Sequence, residues 1–160
     1  MLGLLRRFQN PSPDLLSSEL YDEQTFYPAF LRDLNQCREL CILESPFITH
    51  KRMNALYPSF RRLTKRGVRV VINTRDPREH EYRMAAEAEE AISALQDLGV
   101  LVLYTNNHHR KLAILDNCIL YEGSLNILSQ SASCELMRRI QSPQMAQQMI
   151  RFTKMEKFIC

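Results

Sequence analysis

Three short, largely apolar runs at residues 40–43, 68–72 (interrupted by Arg69) and 100–104 are separated by two amphipathic stretches, each stopping at a glycine, Gly67 and Gly99. Runs this short suit strands better than helices. They also lack the in–out alternation of a half-solvated sheet, so they read as strands covered on both faces. Strands joined by crossover helices run parallel. The spacing therefore predicts strand–helix–strand–helix–strand, with helices over about 52–66 and 81–98. Another helix precedes this unit, capped at Thr25, with Pro28 in its first turn and Phe26, Phe30, Leu31 and Leu34 at helical spacing. After Tyr104 the pattern changes. Residues 112–115 and 118–121 flank Asp116-Asn117, a hairpin signal, and 135–140 reads as a further strand. Ser142-Pro143 opens a last helix, with Ser142 as cap and Pro143 at its first position. Met145, Met149 and Phe152 form an apolar stripe on it, read as core or dimer interface. The expected fold class is α/β, an α-β-α sandwich on a mixed sheet, parallel in its N-terminal half and antiparallel in its C-terminal part.

Composition narrows the function classes. The chain has 160 residues, 45% hydrophobic and 24% charged, enough apolar content for one domain with its own core. Residues 1–20, which contain Asn10-Pro11-Ser12-Pro13, read as an N-terminal arm ahead of a single domain over 21–160. No apolar run reaches membrane-spanning length. The apolar start of the chain is short and precedes its arginines, unlike an export signal, so a cytoplasmic location is expected. The five cysteines are odd in number and form no CxxC pair, which argues against a disulfide framework or a zinc site. Cys134 reads as a small buried residue. The net charge of +3 is modest, but it is unevenly placed. Residues 51–78 carry Lys51, Arg52, Arg61, Arg62, Lys65, Arg66, Arg69, Arg75 and Arg78 against Asp76 alone, and 79–97 is acidic. This is either a basic surface facing a phosphate ligand or a pair of oppositely charged solvated helices.

The chemistry concentrates in His109-Arg110-Lys111-Leu112-Ala113-Ile114-Leu115-Asp116, followed after six residues by Gly123-Ser124-Leu125-Asn126. In a strand alternate side chains share a face, so His109 and Lys111 should project together, with Ala113 and Leu115 continuing that face into the core. An imidazole nitrogen is a competent nucleophile toward phosphorus near neutral pH. A neighbouring ammonium would neutralise phosphoryl oxygens in the transition state, and Ser124 and Asn126 can donate to the same oxygens. Gly123 gives the turn freedom to approach. Glu135 could accept from the second imidazole nitrogen and fix the tautomer. Asp116 belongs to the motif but reads better as a turn residue anchoring backbone amides around the site.

The pattern HxKxxxxD…GSxN, with Glu135 at the acidic position downstream, resembles that of the phospholipase D superfamily. The order of elements from Leu40 to the last helix does too. The resemblance implies a phospholipase D-like sandwich acting on phosphodiesters through a phosphohistidine, without a metal or other cofactor. It places His109, Lys111, Asn126, Glu135, Ser124 and Asp116 in the catalytic set. Single-motif bacterial nucleases of this superfamily are homodimers, so one motif per chain implies His109 of two copies meeting at a two-fold axis. The motif does not choose the substrate. A single motif, a small chain and no lipid-facing segment favour a nuclease, with DNA ahead of RNA. Arg75, His50, Lys51 and Arg52 are the candidate substrate contacts, at the ends of strands where α/β crevices open. His108 reads as structural. The segment 45–49 resembles nuclease modules fused to helicase-type domains, so a helicase or other DNA-processing protein is an expected partner. The alternatives are a phospholipase or small-diester hydrolase, and a nucleic-acid-binding dimerisation module with little turnover.

Overall fold

A computed structural model describes residues 14–159. Seven strands form one sheet in the order β1-β7-β6-β5-β2-β3-β4. The parallel part is the expected crossover unit: β2 (Leu40–Glu44), β3 (Arg69–Thr74) and β4 (Leu101–Tyr104), joined by α2 (His50–Lys65) and α3 (Tyr82–Asp97). The antiparallel part is β5 (Leu112–Leu115), β6 (Ile119–Gly123) and β7 (Leu136–Gln141). Strand β5 runs antiparallel to β2, with Glu44 opposite Leu112. The segment entering β5 therefore lies at the sheet end where β2, β3 and β4 finish.

Two cores flank the sheet. Helices α1 (Phe26–Gln36), α2 and α3 bury Phe26, Phe30, Leu56, Phe60 and Leu95 against one face. On the other, α4 (Pro143–Phe152) and a 3₁₀ turn (Met155–Phe158) bury Ala146, Ile150 and Met155 against Ile42, Val71 and Ile114. The strands alternate between these cores: Cys41, Leu43, Ala113 and Leu115 meet the three-helix side, and Ile42, Leu112 and Ile114 the other. This double coverage is why their sequences are continuously apolar.

Local signals explain the boundaries. Ser142 caps α4 by accepting from the Met145 amide, with Pro143 at the first position. Asp116 and Asn117, in the three-residue connection 116–118 between β5 and β6, both have positive φ, 51° and 53°, and the Cys118 amide donates to the Leu115 carbonyl across them. Thr25 precedes α1 but makes no side-chain cap; instead Asp22 accepts from the Gln24 and Thr25 amides and the Thr25 hydroxyl. Strand β1 (Ser17–Asp22) pairs antiparallel with β7, so the boundary drawn after residue 20 falls inside a strand. Residues 1–13 of the arm lie outside the described residues. Among the described residues no helix is long and apolar enough to cross a membrane.

Candidate active site

His109, Arg110 and Lys111 precede the first residue of β5 rather than lying within it. The expected convergence nevertheless occurs. Lys111 Nζ stands 2.9 Å from His109 Nδ1 and also donates to the His109 carbonyl at 2.6 Å. Both side chains line a cleft of about 770 Å³ with Ser124, Asn126 and Glu135, walled further by Glu122, Arg138, Met149 and Phe152. His109 is exposed and Lys111 half-buried. Desolvation, and secondarily Arg75, push the Lys111 ammonium below its ordinary pKa, while Glu135 pulls the other way.

The backbone around His109 is held on both sides. Arg75, at the end of β3, donates from Nε and Nη2 to the His108 carbonyl at 3.1 and 2.9 Å. On the far side, the Arg110 guanidinium pairs with Glu44, the last residue of β2, which is fully buried. His108 Nε2 lies 3.7 Å from Glu44 Oε2, and Asn73 Nδ2 is 3.5 Å from Oε1. Burial pushes the Glu44 carboxyl up, and Arg110 opposes that. Glu44 was hidden in the sequence as the polar end of an apolar run, with its partner 66 residues away.

The loop carrying Ser124 and Asn126 is equally fixed. Leu125, Ile127 and Leu128 are buried beneath it. Tyr27 donates to the Ile127 carbonyl, and Ser45 accepts from the Leu128 amide. The Arg52 guanidinium stacks 3.6 Å from the centre of the Tyr27 ring and donates to the Gln130 carbonyl at 2.7 Å. Asn126 Oδ1 is buried without a hydrogen-bond partner among the described residues. Gly123 acts through close approach rather than turn freedom: a Cβ there would sit 2.2 Å from the Leu136 carbonyl oxygen on β7.

Several expected roles change. Asp116 lies at the opposite end of β5 from His109 and does not line the cleft. Its carboxylate accepts from the Arg38, Glu39 and Leu40 amides at 2.8–3.1 Å, anchoring the α1–β2 connection rather than the site. Glu135 lines the cleft, but its carboxylate accepts from Ser133 at 2.7 Å, and no Glu135–His109 hydrogen bond exists among the described residues. Hydrogen bonds from Ser124 and Ser133 hold it below its ordinary pKa, with Lys111 adding to the effect.

None of Arg75, His50, Lys51 and Arg52 lines the cleft. Arg75 and Arg52 are bound to backbone carbonyls, as described. His50 Nε2 is 3.1 Å from Glu90 on α3, and its amide donates to Glu87. Lys51 is exposed on α2. The start of the basic helix thus pairs with the acidic one because α2 and α3 pack on the same face. His108 is buried, in keeping with a structural role, whereas Cys134 is exposed rather than buried. Sequence reasoning missed Arg138 and Phe152 as cleft walls, since nothing local marks which face of β7 or α4 meets the motif.

A mixed-sheet α-β-α sandwich with an imidazole–ammonium pair entering its central antiparallel strand defines the phospholipase D-like class. A family model described as the PLD-like domain of cardiolipin synthase matches residues 30–156, and the chain belongs to that family. The phospholipase D family member Nuc from Salmonella typhimurium is similar in structure, with a TM-score of 0.70 at 19% identity, covering 89% of this chain and 95% of that one. NucT from Helicobacter pylori gives 0.70 at 15% identity over 90% and 97%. Polyphosphate kinase from Porphyromonas gingivalis gives 0.70 at 10% identity over 90% of this chain and 26% of that one. At such identities the likeness is one of fold. No curated protein sequence matches the chain.

Proposed function

We propose that the protein is a phosphodiesterase, and specifically a metal-independent nuclease that cleaves DNA (or RNA) through a phosphohistidine at a site shared by two copies of the chain. The observation that carries this reading is the His109–Lys111 pair, 2.9 Å apart at the cleft wall, beside Ser124 and Asn126. Membership of the phospholipase D-like family supports phosphodiester chemistry.

An ammonium has donors only, so His109 Nδ1 accepts from Lys111 and the proton of the neutral ring sits on Nε2. That state donates a proton and does not attack. An entering phosphoryl oxygen competes for the ammonium. Once Nζ turns to the phosphate, Nδ1 can carry the proton and Nε2 becomes the nucleophile. Its lone pair forms the P–N bond, the P–O bond to the leaving oxygen breaks, and His109 of the partner subunit protonates that oxygen. The same partner imidazole then deprotonates water, whose oxygen attacks phosphorus and expels His109. Lys111, Ser124 and Asn126 stabilise the charge on the phosphoryl oxygens in both steps.

The test is incubation of the purified protein, with EDTA present, with single- and double-stranded DNA, RNA and phosphatidylcholine. Cleavage of DNA that survives EDTA and falls at least about a thousandfold in His109→Ala supports the proposal. Turnover of lipid alone selects a phospholipase, and binding without cleavage a nucleic-acid-binding module. A requirement for Mg²⁺ overturns the metal-free mechanism.

A further inference from the structure

The sheet face under α4 is less fully covered than the other, because one helix and a 3₁₀ turn stand there against three helices opposite. The gap is a second cavity of about 430 Å³ between the ends of β3 and β4 and the α4–3₁₀ junction. It shares Arg110 and Phe152 with the active-site cleft, so the two are adjacent. Its further walls include Leu103, Lys154 and Lys157, and among the described residues no carboxylate lines it. Lys154 and Lys157 are exposed, and neither is ion-paired with a described residue. Phe152, 76% exposed at the end of α4, stands at the junction with an open ring.

Arg138 and Lys111 line the cleft beside Glu122 and Glu135, Arg110, paired with Glu44, stands between the two cavities, and Lys154 and Lys157 line the second. A single diester needs only the first cavity. Positive charge continuing past it, with an exposed aromatic ring between, is the arrangement that binds a polyanion whose bases stack. A duplex keeps its base faces stacked internally and has none to offer Phe152.

We propose that this second cavity is a nucleotide subsite for single-stranded nucleic acid, in which Lys154 and Lys157 hold the phosphate next to the scissile one and Phe152 stacks on the intervening base. The proposal rests on the nuclease reading of the cleft and supplies its strand form. The basic face of α2 then plays no part: Arg61, Arg62 and Lys65 line a separate pocket.

The experiment measures fluorescence anisotropy of labelled oligothymidylates, a trimer and a nonamer, and of a nonamer duplex, on the His109→Ala protein across a NaCl series. Lys154→Gln/Lys157→Gln and Phe152→Leu are each added to that background, with circular dichroism as the folding control. The lysine pair is expected to weaken nonamer binding about tenfold and to flatten the dependence of log K on log salt by about one, given roughly 0.7 per neutralised phosphate for single strands. Phe152→Leu is expected to weaken it about tenfold with the salt slope unchanged. The trimer, whose two phosphates flank one base, should weaken as the nonamer does, and duplex binding should change less than threefold.

Nonamer affinity unaffected by both changes overturns the subsite. So does an equal loss on duplex, or displacement of the nonamer by phosphatidylglycerol vesicles only in protein that retains the lysines. Sedimentation showing that Phe152→Leu dissolves a dimer without altering nonamer affinity assigns the cavity to a second copy instead, which also overturns it. Failure of the nuclease reading is separately visible, as absence of oligonucleotide cleavage by the protein with His109 intact.

Discussion

His108 and His109 are neighbours with opposite environments, and the difference is measurable. His109 is exposed in the cleft, whereas His108 is 3% exposed and its Nε2 lacks a hydrogen-bond partner. Desolvation, then Arg110, Arg75, Lys111 and His109, push the His108 imidazole down to about 4. The folded protein keeps it neutral while the unfolded chain protonates it near 6.5, so stability is lost as pH falls from about 6.5 toward 4, by at most about 3 kcal/mol. His80, also lowered by burial, adds in the same sense. Glu44, raised by burial, opposes it. His108→Gln isolates the imidazole: its urea midpoint should fall less than that of the unchanged protein between pH 7 and 4.5. An identical fall would show that His108 is not held neutral. At the same scale, Lys111→Met removes the charge facing the phosphoryl oxygens and should lower turnover about 10²–10³-fold with the fold intact by circular dichroism. A change confined to KM would make Lys111 a binding group only.

Among the elements, the hairpin β5–β6 separates structural from chemical parts of one motif. The site end carries His109 and Lys111, and the turn end carries Asp116. Asp116→Ala leaves the amides of Arg38, Glu39 and Leu40 without their acceptor, and should cost about 2–4 kcal/mol in urea denaturation. Turnover per folded molecule should stay within about threefold, since the carboxylate lies at the far end of the sheet; a loss beyond tenfold would return Asp116 to the catalytic set. Gly123→Ala should be worse for folding, because its Cβ would collide with the β7 backbone rather than with a movable side-chain end. These contrasts show what the sequence made legible. The crossover strands, the Asp116-Asn117 turn and the Ser142-Pro143 cap were readable because each depends on residues close in the chain. The site group of His109, Lys111, Ser124 and Asn126 was readable from its spacing. Strand β1 was not, since Ser17-Ser18-Glu19 is polar and its ladder exists only once β7 is beside it. The clamps on the His109 segment were not, because Glu44 and Arg75 act on residues 33 or more positions away.

For the whole molecule, one motif per chain makes the copy number a mechanistic quantity. The proposed cycle needs an imidazole on each side of the phosphorus, one to attack and one to protonate the leaving oxygen. Each chain brings one copy of the motif residue His109, and His108 is buried beside it. His50 and His80 do not line the cleft. A second copy apposed at the cleft would supply the missing group and cover the exposed apolar side chain of Leu136 at its rim. Subunit mixing tests this more sharply than size alone. Unchanged protein is mixed with an equal amount of His109→Ala under conditions of subunit exchange. If every site needs both imidazoles, half of the unchanged chains pair with inactive ones, and activity should fall to about one half of that of the unchanged protein alone. If each chain works independently, the added variant leaves activity where it was. Sedimentation of the mixture verifies that the two species pair, so that undiminished activity from mixed dimers would refute the shared site while leaving the phosphodiesterase reading of each cleft intact.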